Sequence, residues 1–248
     1  MSARPGPEVW REGATPSSER PALRVCRGPS LMVEGAARSE YGPMERSEVT
    51  VRHIPFLGAA LIAGPVLMAA YGVVRLVGRG LGDYGPGVWW SAAHLLFLAG
   101  VLAFVPVFLG LWRAASVRGG RGVTVGAAAL IGLAGAAAVA VQAGIDLVVG
   151  FLAADEDAMS ELFERVQDVP GAVPLVYTVV PVLFWLGLLA LVTLLAVFRR
   201  DLVPGWTPPL VLVATVLMAV SLDLLPVGGL CLGLALLPVR RALSGARR

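Results

Sequence analysis

Lysine and asparagine are absent from this 248-residue chain, and histidine and cysteine occur only twice each. These scarcities remove whole classes of chemistry. There is no Walker-type Gly-Lys-Ser/Thr loop, and no HExxH or GxSxG motif. Cys26 lies in a polar stretch and Cys231 in an apolar one, and no CxxC occurs. Neither a disulfide between them nor paired-thiol redox or zinc chemistry is expected. His53 and His94 fall at opposite edges of the hydrophobic segments described below, so they cannot share one ion. The acidic run Asp155, Glu156, Asp157 lacks the alternating ligands and glycine of an EF-hand loop and reads as solvated surface. No metal, haem or other cofactor is expected, and no enzymatic role.

Charge is scarce as well. Only 15% of residues are charged, against about a quarter in ordinary soluble domains. The hydrophobic share is 57% and the mean hydropathy is +0.78. Several apolar runs reach the roughly 20 residues that a helix needs to cross a bilayer core. The class is therefore all-α: a polytopic helical membrane protein whose first partner is the lipid bilayer. The net charge of +3 is no nucleic-acid footprint, because the arginines sit in the N-terminal tail and beside the apolar runs. All 20 basic residues are arginine, and alanine, glycine, valine and leucine dominate. That bias is expected of a GC-rich bacterial genome, and the location expected is the cytoplasmic membrane.

Residues 1–50 are rich in Pro, Gly, Ser, Arg and Glu without periodicity, the composition of a disordered cytoplasmic tail. They lack the apolar core of a secretory signal. Translation from Met32 or Met44 is the alternative, the latter opening MERSEVTVRHIPFLG directly into the first span. Spans are expected near 54–74, 90–112, 123–151, 175–198, 210–224 and 226–239, with a basic tail at 242–248. The last two come from one 30-residue apolar tract, Leu210–Val239, divided near Asp223, Pro226, Gly228 and Gly229. Between the third and fourth spans, Met159, Leu162, Phe163 and Val166 recur at helical spacing in an acidic segment, which predicts a short amphipathic surface helix.

Six spans put both termini in the cytoplasm, together with the Arg113–Arg121 and Arg199–Arg200 loops. The acidic helix and the Asp223 hairpin then lie outside. Arg75 and Arg79 are the exception, since they fall on the outer side.

The third span carries two signals. Ala128, Gly132, Ala136, Ala140 and Gly144 recur at four-residue intervals, a small-residue stripe suited to close helix packing within the chain, in a homo-oligomer or against a membrane partner. Asp146 lies roughly 35 Å along the helix from Val123 and so approaches the outer face. His94, Tyr177 and Asp223 fall near the same level on other spans, and Gln142 lies one turn before Asp146. Ionisable groups within a membrane are costly and often functional, so His94, Gln142, Asp146, Tyr177 and Asp223 form the candidate polar cluster. The leading expectation is a non-enzymatic accessory, structural or sensory membrane component. The alternative is a small proton-coupled or solute transporter using Asp146 with His94 or Asp223.

Overall fold

The computed structural model describes residues 56–83, 85–115 and 119–245. The tail, the alternative starts at Met32 and Met44, His53, Arg118 and the last three residues lie outside the described residues. The described residues fold into helices and turns, with no strand among them. These are α1 (Leu57–Gly80), α2 (Val88–Ala115), α3 (Gly120–Leu152), α4 (Glu156–Gln167), α5 (Val179–Phe198), α6 (Thr207–Val220) and α7 (Leu225–Gly245). A π turn, Val173–Tyr177, leads into α5, and a 3-10 turn, Leu222–Leu224, separates α6 from α7.

Five segments are long and apolar enough to cross a membrane: Leu57–Gly80, Val88–Ala115, Gly120–Leu152, Val173–Phe198 and Leu222–Leu243. Leu102, Leu130, Leu186, Leu230 and Leu234 project outward from them and are more than half exposed. In water such a surface would be an aggregation liability; against lipid it is the ordinary exterior. By helix composition the chain is a multi-pass membrane protein. α6 is apolar but has 14 residues, about 21 Å of rise, which is shorter than the roughly 30 Å hydrocarbon core.

Packing contacts fix the helix directions. Gly64 of α1 lies under the Phe104 ring of α2, and Gly78 faces Trp89, so α1 and α2 are antiparallel. Gly132 and Gly150 of α3 meet Phe108 and Trp90 of α2 in the same sense. α7 returns along α1, with Gly229 against Ala69 and Pro65, and Gly72 against Leu225 and Pro226. On its other side Gly228 meets Met218 and Ala214 of α6. The division of the last apolar tract therefore falls at Ser221–Leu224, where Ser221 is extended and its Oγ accepts from the Asp223 N–H. Gly228 and Gly229 lie within α7, where they serve close approach.

The core centres on three rings from two helices. Phe184 of α5 meets Phe104 and Phe108 of α2 edge-on, with centroids 5.2 and 5.7 Å apart. All three side chains are fully buried. Beside them α3 and α5 touch backbone to backbone: Gly187 lies on Gly132 N and Cα, and Gly135 on the Leu183–Phe184 peptide. Ala128, Gly132 and Ala136 of the small-residue stripe are thus buried inside the chain. Gly144 has open space beside it.

The end of the bundle holding Arg113, Arg121, Arg199 and Arg240 is closed by arginine chemistry. Arg199 Nη1 donates to the Ala114 carbonyl at 2.7 Å and so caps the last turn of α2. The same guanidinium grips Asp201, at 2.8 Å from Nη2 and 3.0 Å from Nε. This hydrogen bonding holds the Asp201 carboxyl below the usual carboxylate range and keeps Arg199 protonated above its ordinary value.

The glycine seam gives a direct expectation. Gly135→Ala and Gly187→Ala each drive a methyl group into neighbouring backbone and should destabilise by about 1–3 kcal/mol or more. Gly144→Ala, with room for its methyl, should stay within about 0.5 kcal/mol of wild type. Melting temperatures of the purified protein in detergent check this; equal behaviour of all three variants would contradict the seam.

Candidate functional site

At the opposite end of the bundle the helices leave a cavity of about 610 Å³. Its wall combines Tyr71, Trp89, Trp90, Phe97 and Trp185 with His94, Gln142 and Asp146, and Arg75, Arg79 and Asp83 also line it. This mixture of apolar surface and a few convergent polar groups is the usual make-up of a small-molecule site.

Asp146 and His94 are buried side chains on different helices. His94 Nε2 stands 3.7 Å from Asp146 Oδ2. Trp90 positions both. Its carbonyl lies 2.8 Å from His94 Nδ1, and its indole Nε1 donates to the Asp146 carbonyl at 2.8 Å. The Trp90 and His94 rings also stack, with centroids 4.1 Å apart, and Tyr71 meets the imidazole edge-on at 5.8 Å. Gly150 allows this packing, because a side chain there would strike the Trp90 indole.

The hydrogen-bond inventory sets the chemistry. A backbone carbonyl can only accept, so the contact to Trp90 commits His94 Nδ1 as a donor. In neutral imidazole the other nitrogen, Nε2, is then a bare acceptor. It faces a carboxylate oxygen, another acceptor, within the 3.7 Å gap. Two lone pairs directed at one buried space repel. A proton carried by either group relieves this, giving Oδ2–H donating towards Nε2 or Nε2–H donating towards Oδ2. One proton placed between Nε2 and Oδ2 satisfies both acceptors.

Of the residues expected from sequence to gather, His94, Gln142 and Asp146 line the one cavity. Asp223 lies on the turn before α7 and is engaged differently: Arg75 Nη1 reaches its Oδ1 at 2.7 Å, and Arg79 Nη1 reaches Oδ1 and Oδ2 at 2.8 and 2.9 Å. Tyr177 sits in the π turn ahead of α5 and is not among the residues lining the cavity, with its hydroxyl oxygen buried and without a hydrogen-bond partner. Sequence reasoning missed Tyr71, Arg75, Arg79 and Trp90 as site residues. Tyr71, Arg75 and Arg79 are spaced i, i+4, i+8 and share one face of α1. The signal was present in the topology exception: two arginines on the acidic side call for a carboxylate partner.

α4 lies beside this end. Its N-cap Asp155 accepts from the Ala158 N–H at 2.9 Å, and acidic residues fill its first turn, as the helix dipole favours. Its apolar face is directed inward, with Met159 buried and Phe163 6.1 Å from the Trp90 ring. No protein-family model, curated protein or solved structure matches the chain, so the geometry alone carries the functional reading.

The Arg75–Asp223–Arg79 clamp ties the last turns of α1 to the α6–α7 hairpin at the cavity mouth. In Asp223→Asn, amide hydrogen exchange across residues 75–83 should accelerate at low ionic strength. The difference from wild type should shrink at high salt, because these groups are partly exposed and therefore screened. Unchanged exchange at low salt would mean that the clamp holds nothing.

Proposed function

We propose that this protein is a proton-linked carrier of a small molecule, with the His94–Asp146 pair as its proton-binding element and the adjoining cavity as its ligand site. The observation that carries the reading is the pair itself: two buried acceptors from α2 and α3, 3.7 Å apart, in the wall of a cavity of about 610 Å³. Ionisable groups so placed in a membrane helix bundle mark ion and substrate paths. The reading assigns the protein no catalytic chemistry.

The orientation that goes with it has six crossings in the cytoplasmic membrane, α6 being a short one. Antiparallel packing of α7 with both α1 and α6 supports an even number of passes. The positive-inside rule then puts Arg113, Arg121, Arg199, Arg200, Arg240 and Arg241 in the cytoplasm. The acidic α4 and the cavity mouth face outward. Arg75 and Arg79 cease to be an anomaly in this scheme, because Asp223 is bound to both.

A second reading, as a sensory or accessory component, draws on α4. Its acidic outer surface is available to a partner, and Phe163 on its inner face touches the same Trp90 that positions the pair.

Two measurements test these readings. Infrared titration over about pH 5 to 8 should show a pH-dependent change in the Asp146 carboxyl bands (proton on Oδ2) or in the His94 ring modes (proton on Nε2) that is missing in Asp146→Asn. A titration unaltered by Asp146→Asn would remove the proton-binding role. For orientation, cysteines placed at Asp157 and Arg121 should react with a membrane-impermeant thiol reagent from opposite sides of sealed vesicles, Asp157→Cys from outside. Reaction of both from one side would overturn the six-pass arrangement.

A further inference from the structure

We infer that the ligand of this cavity is a protonated organic amine with an aromatic or apolar body, taking the place of the proton held by His94 and Asp146. The inference rests on the proton-linked reading above and adds the chemical class of the substrate.

The pair asks for a particular partner. With Nδ1 committed to the Trp90 carbonyl, Nε2 and Oδ2 present two acceptors to one point from 3.7 Å apart. An ammonium nitrogen is a compact cation with several N–H donors, and one such group placed beside the gap donates to both atoms. Such hydrogen bonds to a carboxylate are the stronger, charge-assisted kind. A proton and an ammonium group satisfy the same two atoms, so they exclude one another. Binding is an exchange: R–NH3⁺ enters, H⁺ leaves, and the charge within the cavity is unchanged.

The surroundings favour a cation carrying an organic body. Tyr71, Trp89, Trp90, Phe97 and Trp185 line the space, and aromatic faces attract cations and bury apolar groups. They offer few oxygen ligands to a bare metal ion. The charged groups facing the pair come from each neighbouring element. Arg75 of α1 is within electrostatic reach of His94, Asp223 binds both Arg75 and Arg79, and Asp83 lines the cavity with them. Tyr71 and Tyr177 are within electrostatic reach of Asp146. Loss of the pair's proton leaves one negative charge on Asp146, and an ammonium restores neutrality there. An anion at the two arginines would compete with Asp223 and leave the facing acceptors unrelieved.

The test is calorimetric titration of the full chain in lipid nanodiscs with 2-phenylethylamine and its larger 2-naphthyl analogue. The expected result is binding that weakens about tenfold per pH unit on the acidic side and releases about one proton per amine, read from buffers of different ionisation heat. The neutral alcohol of the same shape should not compete. The N,N,N-trimethyl analogue, charged but without N–H donors, should bind at least about tenfold more weakly than the primary amine. Asp146→Asn, with folding checked by gel filtration, should lose on the order of 30-fold or more in amine affinity. The pH dependence is measured on the wild-type chain, so the test stands even if that variant does not fold. Amine binding that is independent of pH, or a trimethyl analogue binding as tightly as the primary amine, overturns the inference. Absence of amine binding, with the Asp146-dependent titration still present in the infrared, overturns the amine and leaves the proton reading standing. Loss of both signals removes both.

Discussion

Close backbone contact between α3 and α5 is the constraint on which the remaining structure depends. Lipid is as apolar as leucine, so helices in a bilayer gain little by hiding leucine from it and associate through fit. Gly132, Gly135 and Gly187 let two helices approach until main chain meets main chain. That contact locks the first two-thirds of α3. The helix then continues past the seam to Leu152, and its last turns lean on the beginning of α2. Asp146 is carried to His94 by this extension. Chain length beyond what a crossing needs has become the arm that holds the carboxylate.

The two ends of the bundle use arginine in opposite ways. At one end Arg199 donates to the Ala114 carbonyl at the end of α2 and to Asp201, which consumes its donors within the helix ends. At the other, Arg75 and Arg79 converge on a carboxylate from a different part of the chain and form part of a cavity wall. A charge in a capping role is fixed by its neighbours in the helix ends. A charge bridging the end of α1 and the α6–α7 turn at a cavity mouth is held by its partner, and that partner stays within reach of water.

Much of this architecture was legible in the sequence because it follows from local pattern. Apolar run length marks the long helices, and the 3.6-residue recurrence of Met159, Phe163 and Val166 within an acidic segment marks α4. Proline and glycine punctuation indicated a division of the last tract, yet it falls at Ser221–Leu224 because Gly228 and Gly229 are used for packing on α6 and α1. The stripe in α3 told that the helix is gripped; which helix grips it is a tertiary fact. Depth alone groups Asp223 with Asp146. Depth does not specify rotation about a helix axis, and rotation gives Asp223 to Arg75 and Arg79 instead. Trp90 shows the same limit. In the fold its carbonyl and indole hold the two members of the buried pair, which its position in the sequence does not specify.

That double role of Trp90 links the separation of the buried pair to helix position. Its carbonyl belongs to α2 and orients His94 one turn on, while its indole reaches across to the α3 backbone at Asp146. Any sliding of α2 along α3 that breaks the indole bond changes the Nε2–Oδ2 separation at the same time. When the pair holds a proton, attraction across the gap favours the observed register. The register of α2 against α3 and the separation of the buried pair are thus set through one residue.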